Sequence, residues 1–125
     1  ELEPVSWMQR DAGATPAELV ARGRRELANR NFAAAEQALE TARRLAPGNQ
    51  QAWQLLIDTY SRRRRFAKAL EAVDRLISLD PTAPLPYRTR GRIHQQLGRQ
   101  TAAAADFARY RQLVDHLNAS PGAKP

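Results

Sequence analysis

The sequence predicts an all-α fold: an α-solenoid of three helix–turn–helix repeats, six antiparallel helices in all. Three observations predict it. The first is a period of 34 residues. Trp53, Phe66, Ala69, Val73, Leu79 and Pro81 become Leu19, Phe32, Ala35, Leu39, Leu45 and Pro47 one period earlier, and Tyr87, Gln100, Ala103, Phe107, Leu113 and Asp115 one period later. The second is the central stretch Gln50–Pro81, which holds two helix-length segments around an arginine-rich turn. Neither segment can bury its apolar face alone, so neighbouring units must cover it. The third is punctuation: Pro47-Gly48-Asn49 and Pro81-Thr82-Ala83-Pro84 fall between the units, where proline and glycine stop helices. The repeats are therefore set at 16–49, 50–83 and 84–117.

Residues 1–15 break the phase, and Pro4 and Gly13 argue against one continuous helix there. They read as an N-terminal arm or linker that packs on the first helix, or that docks into a groove with Trp7 as its anchor. Thr15-Pro16-Ala17-Glu18 is a helix start: threonine caps, proline suits the first position and Glu18 completes a capping box. The first helix is expected from Pro16 to about Asn29. Asn31 is expected to cap the second, Phe32 to Leu45, and Asn49 the third, Gln50 to about Arg63. The fourth runs from Phe66 to about Leu79. Pro84 and Pro86 fall in the first turn of the fifth, where a missing amide costs little. That helix continues to Leu97 and Gly98 breaks it. The sixth runs from about Gln100 to Leu117, and the breaker-rich residues 118–125 read as a disordered tail. No polar capping helix follows Leu117, so Phe107, Tyr110 and Leu113 are expected to be partly exposed or covered by a second copy or another domain.

Composition narrows the function classes. Hydrophobic residues make up 42% of the chain and aromatic ones 6%, so the core must rest on alanine and leucine. Cysteine is absent, which excludes disulfides, thiolate-bound zinc and a thiol nucleophile. No run of about 18 apolar residues suggests a membrane-spanning helix, and no signal peptide is visible. Cytoplasm and periplasm both stay open. The chain opens on Glu1, as expected of a processed form or an excised domain. Net charge is +7, and lysine stands only at Lys68 and Lys124. An arginine bias of this kind fits GC-rich coding and points to a bacterial source.

No GxSxG, phosphate-binding glycine loop or HExxH occurs. His94 and His116 lie on different helices and read as packing or solvated groups, not metal ligands. Glu36 with Glu40, and Asp74 with Asp80, read as solvated helix carboxylates. Neither catalysis, nor a metal, nor a cofactor is expected. Arg62-Arg63-Arg64-Arg65 closes a helix, where positive charge favours the negative helix end. The competing reading is a phosphate or anionic-lipid site, but no aromatic residues interleave to stack on bases and nucleic acid is not the expected partner.

The pattern resembles the tetratricopeptide repeat. Trp53, Leu56, Tyr60, Ala69 and Pro81 carry the resemblance in the middle copy, Gly23, Ala35, Ala42 and Pro47 in the first, and Tyr87, Gly91, Gly98, Ala103 and Phe107 in the third. Arg22 and Arg90 depart from the usual leucine, Glu26 and His94 from the usual tyrosine, and Asp115 from the usual proline. The resemblance implies a right-handed superhelix whose concave face, lined by the first helix of each repeat, binds a segment of another protein. The positions it assigns to that face include Val20, Arg24 and Leu27 in the first repeat. The second supplies Gln54, Leu55, Asp58 and Arg62, and the third Leu85, Arg88, Arg92, Gln95 and Gln96. Arginines would read carboxylates, glutamines the backbone, and Leu55 and Leu85 apolar side chains. The carboxylate clamp of chaperone-binding members falls on Val20, Arg24, Leu55, Leu85 and Thr89 and is missing, so that role is not implied. The resulting expectation is a non-catalytic protein–protein interaction adaptor for a peptide segment, an acidic one by charge, in bacterial envelope, pilus or secretion assembly. The alternatives are a self-assembling module that forms homo-oligomers through uncapped repeat ends or the Trp7 arm, and a regulatory domain of a larger enzyme.

Overall fold

The computed structural model describes residues 13–119. Six α-helices and no strand occur among them: α1 (Pro16–Ala28), α2 (Phe32–Leu45), α3 (Gln50–Arg62), α4 (Phe66–Leu79), α5 (Leu85–Gln96) and α6 (Gln100–Ala119). The chain divides into two compact units, Glu1–Arg65 with α1–α3 and Phe66–Pro125 with α4–α6.

In the first unit α2 packs against both α1 and α3, and α1 also touches α3. The start of α1 follows its sequence: Thr15 Oγ1 accepts from the Glu18 amide at 3.1 Å, and Glu18 Oε1 accepts from the Thr15 amide at 2.8 Å. These bonds hold the Glu18 carboxyl below its usual pKa. Leu19, Val20, Ala38, Ala42 and Ala52 form a buried cluster. Val20 therefore belongs to the core and not to a binding face, because α2 and α3 close over it. Gly23 lets α2 approach: a Cβ there would lie 2.5 Å from the Leu39 side chain.

In the second unit α5 packs against both α4 and α6. Ala69, Ala72, Val73, Leu76, Tyr87, Ile93, Ala103 and Leu113 are buried. A Cβ at Gly91 would lie 2.7 Å from the Phe107 ring, so glycine again sets the spacing. Phe107 and Tyr110 are half-buried, as a partly exposed sixth helix requires, whereas Leu113 is buried, and Leu117 is the exposed large apolar residue near the end of α6. The sixth helix also runs two residues further than expected, through Asn118 and Ala119, since nothing in that pair breaks it before Ser120-Pro121. The remainder of the expected tail, and the arm with Trp7, lie outside the described residues.

The units repeat two devices at the 34-residue period. Trp53 Nε1 donates to the Pro47 carbonyl at 2.8 Å, and Tyr87 Oη to the Pro81 carbonyl at 2.9 Å, so an aromatic residue pins each inter-repeat turn. The turns within repeats are built alike. The amides of Asn31, Arg65 and Arg99 each donate, at 2.8 Å, to the carbonyls of Glu26, Tyr60 and His94, the long bond of a Schellman helix end. The residue before each is left-handed: Arg30 at φ 63°, Arg64 at φ 58° and Gly98 at φ 76°. Asn31 does not cap α2 with its side chain. Its side chain instead turns back to α1, with Nδ2 donating to Glu26 Oε1 at 2.8 Å.

Candidate functional site

Each unit sinks a carboxylate among arginines. Glu36 on α2 accepts from Arg63 Nη1 at 3.0 Å and Arg65 Nη1 at 2.9 Å and is 8% exposed. Beside it the Tyr60 hydroxyl donates to Glu40 Oε2. Burial first, and then this bond, push the Tyr60 phenol above the usual tyrosine range. Glu36 and Glu40 are thus not solvated carboxylates. In α2 Glu36 adjoins the core residue Ala35 and Glu40 adjoins Leu39, and a buried charge must be paired. Two members of the arginine run, Arg63 and Arg65, are those partners, and Arg62 Nε pairs with Asp58 at 3.0 Å.

In the second unit Arg90 Nε and Nη2 bond the two oxygens of Asp106 at 2.9 and 2.8 Å, and Nη1 reaches Asp74 at 2.9 Å. The bonds to Asp106 raise the guanidinium above its usual pKa and outweigh burial, which acts the other way. Asp74 is accordingly an ion-pair partner, although its side chain is 60% exposed. Asp80 accepts from the Thr82 hydroxyl and amide, which shapes the α4–α5 turn. His94 lies on the inner side of α5 with Nε2 3.7 Å from Asp106 Oδ2.

Four of the expected binding residues come together in the first unit. With Leu27, which the register also set on that face, Arg24 of α1 and Leu55, Asp58 and Arg62 of α3 line an open cleft of about 410 Å³, beside Ala28 and Arg30. Leu27 is buried and Leu55 half-buried, so they form its apolar floor. Arg30 and Arg62 rest on the Phe32 ring, at 5.7 and 5.9 Å from its centre, a cation–π arrangement that orders both long side chains. Three guanidiniums thus face one carboxylate. Arg30 was not among the expected residues; it sits in a turn, and the available signal was its 34-residue counterpart in the arginine run, Arg64. Gln54 is exposed on α3 but does not line the cleft.

The other candidates lie in the second unit, on α5. Leu85 is 62% exposed, and Arg92, Gln95 and Gln96 are exposed as well. Arg88 is half-buried, its guanidinium 5.8 Å from the centre of the Tyr110 ring of α6. No helix among the described residues is long and apolar enough to cross a membrane.

Two family models described as tetratricopeptide repeat match the chain, over residues 20–84 and 56–120. A search of curated proteins finds no match. Among solved structures, a crystal structure of MamA is similar, with 22% identity, a TM-score of 0.79, and coverage of 82% of this chain and 60% of that one. The MamA 41-end form from Desulfovibrio magneticus RS-1 shares 20% identity at a TM-score of 0.79, over 88% of this chain and 63% of its own. The first TPR of Spaghetti (RPAP3), bound there to the HSP90 peptide SRMEEVD, shares 19% identity at a TM-score of 0.73, over 79% of each chain. The present chain spans about three fifths of the length of the MamA structures, 60% and 59% of the first two. At these identities the likeness is one of fold, an all-α solenoid.

Proposed function

This chain belongs to the tetratricopeptide repeat family, and on that premise we propose that it is a non-catalytic interaction adaptor that binds an acidic segment of another protein in the α1–α3 cleft. The observation that carries this reading is the composition of the cleft, where Arg24, Arg30 and Arg62 stand over Leu27 and Leu55 with Asp58 as their single acidic neighbour. A segment with an apolar side chain next to a glutamate or aspartate complements both the floor and the rim. Asp58 already holds Arg62 at 3.0 Å in an exposed pair worth roughly 0.5 kcal/mol, so a ligand carboxylate can replace it at small cost. The RPAP3 relative binds SRMEEVD, itself acidic, which supports a carboxylate-bearing ligand; the clamp positions Val20, Leu55, Leu85 and Thr89 differ enough that the ligand here is another sequence. The setting we propose, bacterial envelope, pilus or secretion assembly, rests on the arginine bias and on what bacterial members of this family serve.

The test is capture from a native lysate by the tagged chain and by its Arg24→Glu/Arg62→Glu variant, followed by mapping of the captured protein with overlapping peptides. A discrete protein lost by the variant, bound through an acidic peptide, is the expected result, with affinity falling as salt rises. Equal capture by both, or mapping to a segment without acidic residues, overturns the reading.

A further inference from the structure

The second unit repeats the environment of Glu36 one period later with its carboxylate missing. The positions of Glu36, Arg63 and Arg65 are filled there by Leu70, Leu97 and Arg99. Arg99 holds the same backbone place as Arg65, its amide bonded to His94 as that of Arg65 is to Tyr60. Yet whereas Arg65 meets Glu36 at 2.9 Å, Arg99 has no ion pair among the described residues and is exposed. Leu70 and Arg99 line an open cleft of about 400 Å³, with Asp74, Arg90, His94 and Asp106. Arg90 bonds both oxygens of Asp106 and one oxygen of Asp74. His94 Nδ1 is buried without a hydrogen-bond partner among the described residues. Arg99 is thus the guanidinium of this lining without an ion-pair partner among the described residues, at the place where Arg65 meets Glu36.

We propose that this α4–α6 cleft is a second binding site, which takes a glutamate or aspartate side chain of a partner protein. The incoming carboxylate lies on Arg99, in the place that Glu36 holds in the first unit. Leu70, with Ala102 and Ala105 beside it, contacts the methylene groups behind the carboxylate. Glutamine does not substitute, because its uncharged amide offers one acceptor oxygen and no opposite charge to the guanidinium. The surroundings are those of an ion pair completed between molecules instead of within one chain. This site does not depend on the α1–α3 cleft, and each can fail without the other.

The experiment titrates the full chain, labelled for NMR, with acetyl-Ala-Leu-Glu-Ala-amide and with its glutamine counterpart, so that the side chain supplies the sole carboxylate. The glutamate peptide is expected to shift the Arg99 Nε–H and the His94 ring, and the glutamine peptide to leave them unmoved. Arg99→Gln, at an exposed turn position, is expected to weaken binding about tenfold, read from the His94 ring. Leu70→Glu is expected to abolish the shifts by supplying the carboxylate internally, while Arg24→Gln/Arg62→Gln leaves them as in the unaltered chain. The proposal is overturned if neither peptide shifts these resonances, if the two peptides act equally, if Arg99→Gln binds as well as the unaltered chain, or if the Arg24/Arg62 variant is the one that loses the effect.

Discussion

The two units neutralise a buried carboxylate by different means. In the first, Glu36 takes one bond from each of two arginines that follow α3, with side chains 29% and 42% exposed. In the second, Asp106 takes both of its bonds from one guanidinium, Arg90, which projects from a packed helix and is 27% exposed. Two partly solvated arms can each rearrange when the other is lost. A bidentate pair fixed between two helices has no such reserve, and its geometry is set by how α5 packs on α6. The positions of Arg90 and Asp106 are held by Leu56 and Ala72 one period earlier, as those of Glu36 and Arg63 are by Leu70 and Leu97 one period later.

The largest expected effect breaks the bidentate pair. Asp106→Ala leaves Arg90 with the exposed Asp74 alone and is expected to cost about 3 kcal/mol, read as a fall in urea midpoint. Arg90→Leu/Asp106→Ala restores the residues found one period earlier and is expected to recover most of that loss, because apolar replacements of buried ion pairs are close to neutral. A double variant as unstable as the single one would show that α5 and α6 require the charges themselves. Glu36→Gln comes next. Its arginines reach water, so the expected cost is about 1–2 kcal/mol, and a loss equal to that of Asp106→Ala would erase the distinction between the units.

The hydroxyl beside Glu36 sharpens the comparison by pH. Tyr60 is raised above the usual range by burial and Glu40, while the unfolded chain titrates near pH 10. A folded pKa raised above the unfolded one gives a contribution that is complete below about pH 10 and declines as pH rises beyond it, by at most about 1.4 kcal/mol per pH unit. Urea midpoints measured from pH 9 to pH 11 should therefore fall more steeply for the unaltered chain than for Tyr60→Phe. His94 stands at the same repeat position in the second unit, so His94→Phe should leave this alkaline limb unchanged.

Helices were the legible part of the molecule. Period, proline placement and the Thr15–Glu18 box located all six to within two residues, because those signals act locally. The arginine–carboxylate cages were not legible. A glutamate on an alanine-rich helix looks solvated until the element that covers it is known, and Arg63 and Arg65 reach Glu36 across 27 and 29 residues. Most of the first cleft could be read from the repeat register, which set Arg24 and Leu27 on α1 and Leu55, Asp58 and Arg62 on α3. Arg30 could not, since no rule of helix faces governs a turn residue. Val20 was misassigned because register gives the direction of a side chain but not how closely α2 and α3 close over it.

The turns themselves give the smallest effect and the finest comparison. Three Schellman ends share one hydrogen-bond pattern, yet only the third places glycine at the left-handed residue; the others use Arg30 and Arg64. A side chain in this conformation costs about 1 kcal/mol relative to glycine. Gly98→Ala is therefore expected to lower stability by about 1 kcal/mol, since nothing lies within 4 Å of an added Cβ and backbone strain is the only change. Arg30→Gly relieves the same strain but removes the guanidinium from the Phe32 ring, 5.7 Å away, a contact worth roughly 0.5–1 kcal/mol. Its net gain should be a few tenths of a kcal/mol. A clear loss of stability in Arg30→Gly would mean that the stacked arginine, and not the backbone, sets the energy of the first turn, and that the cleft is ordered at the expense of local strain.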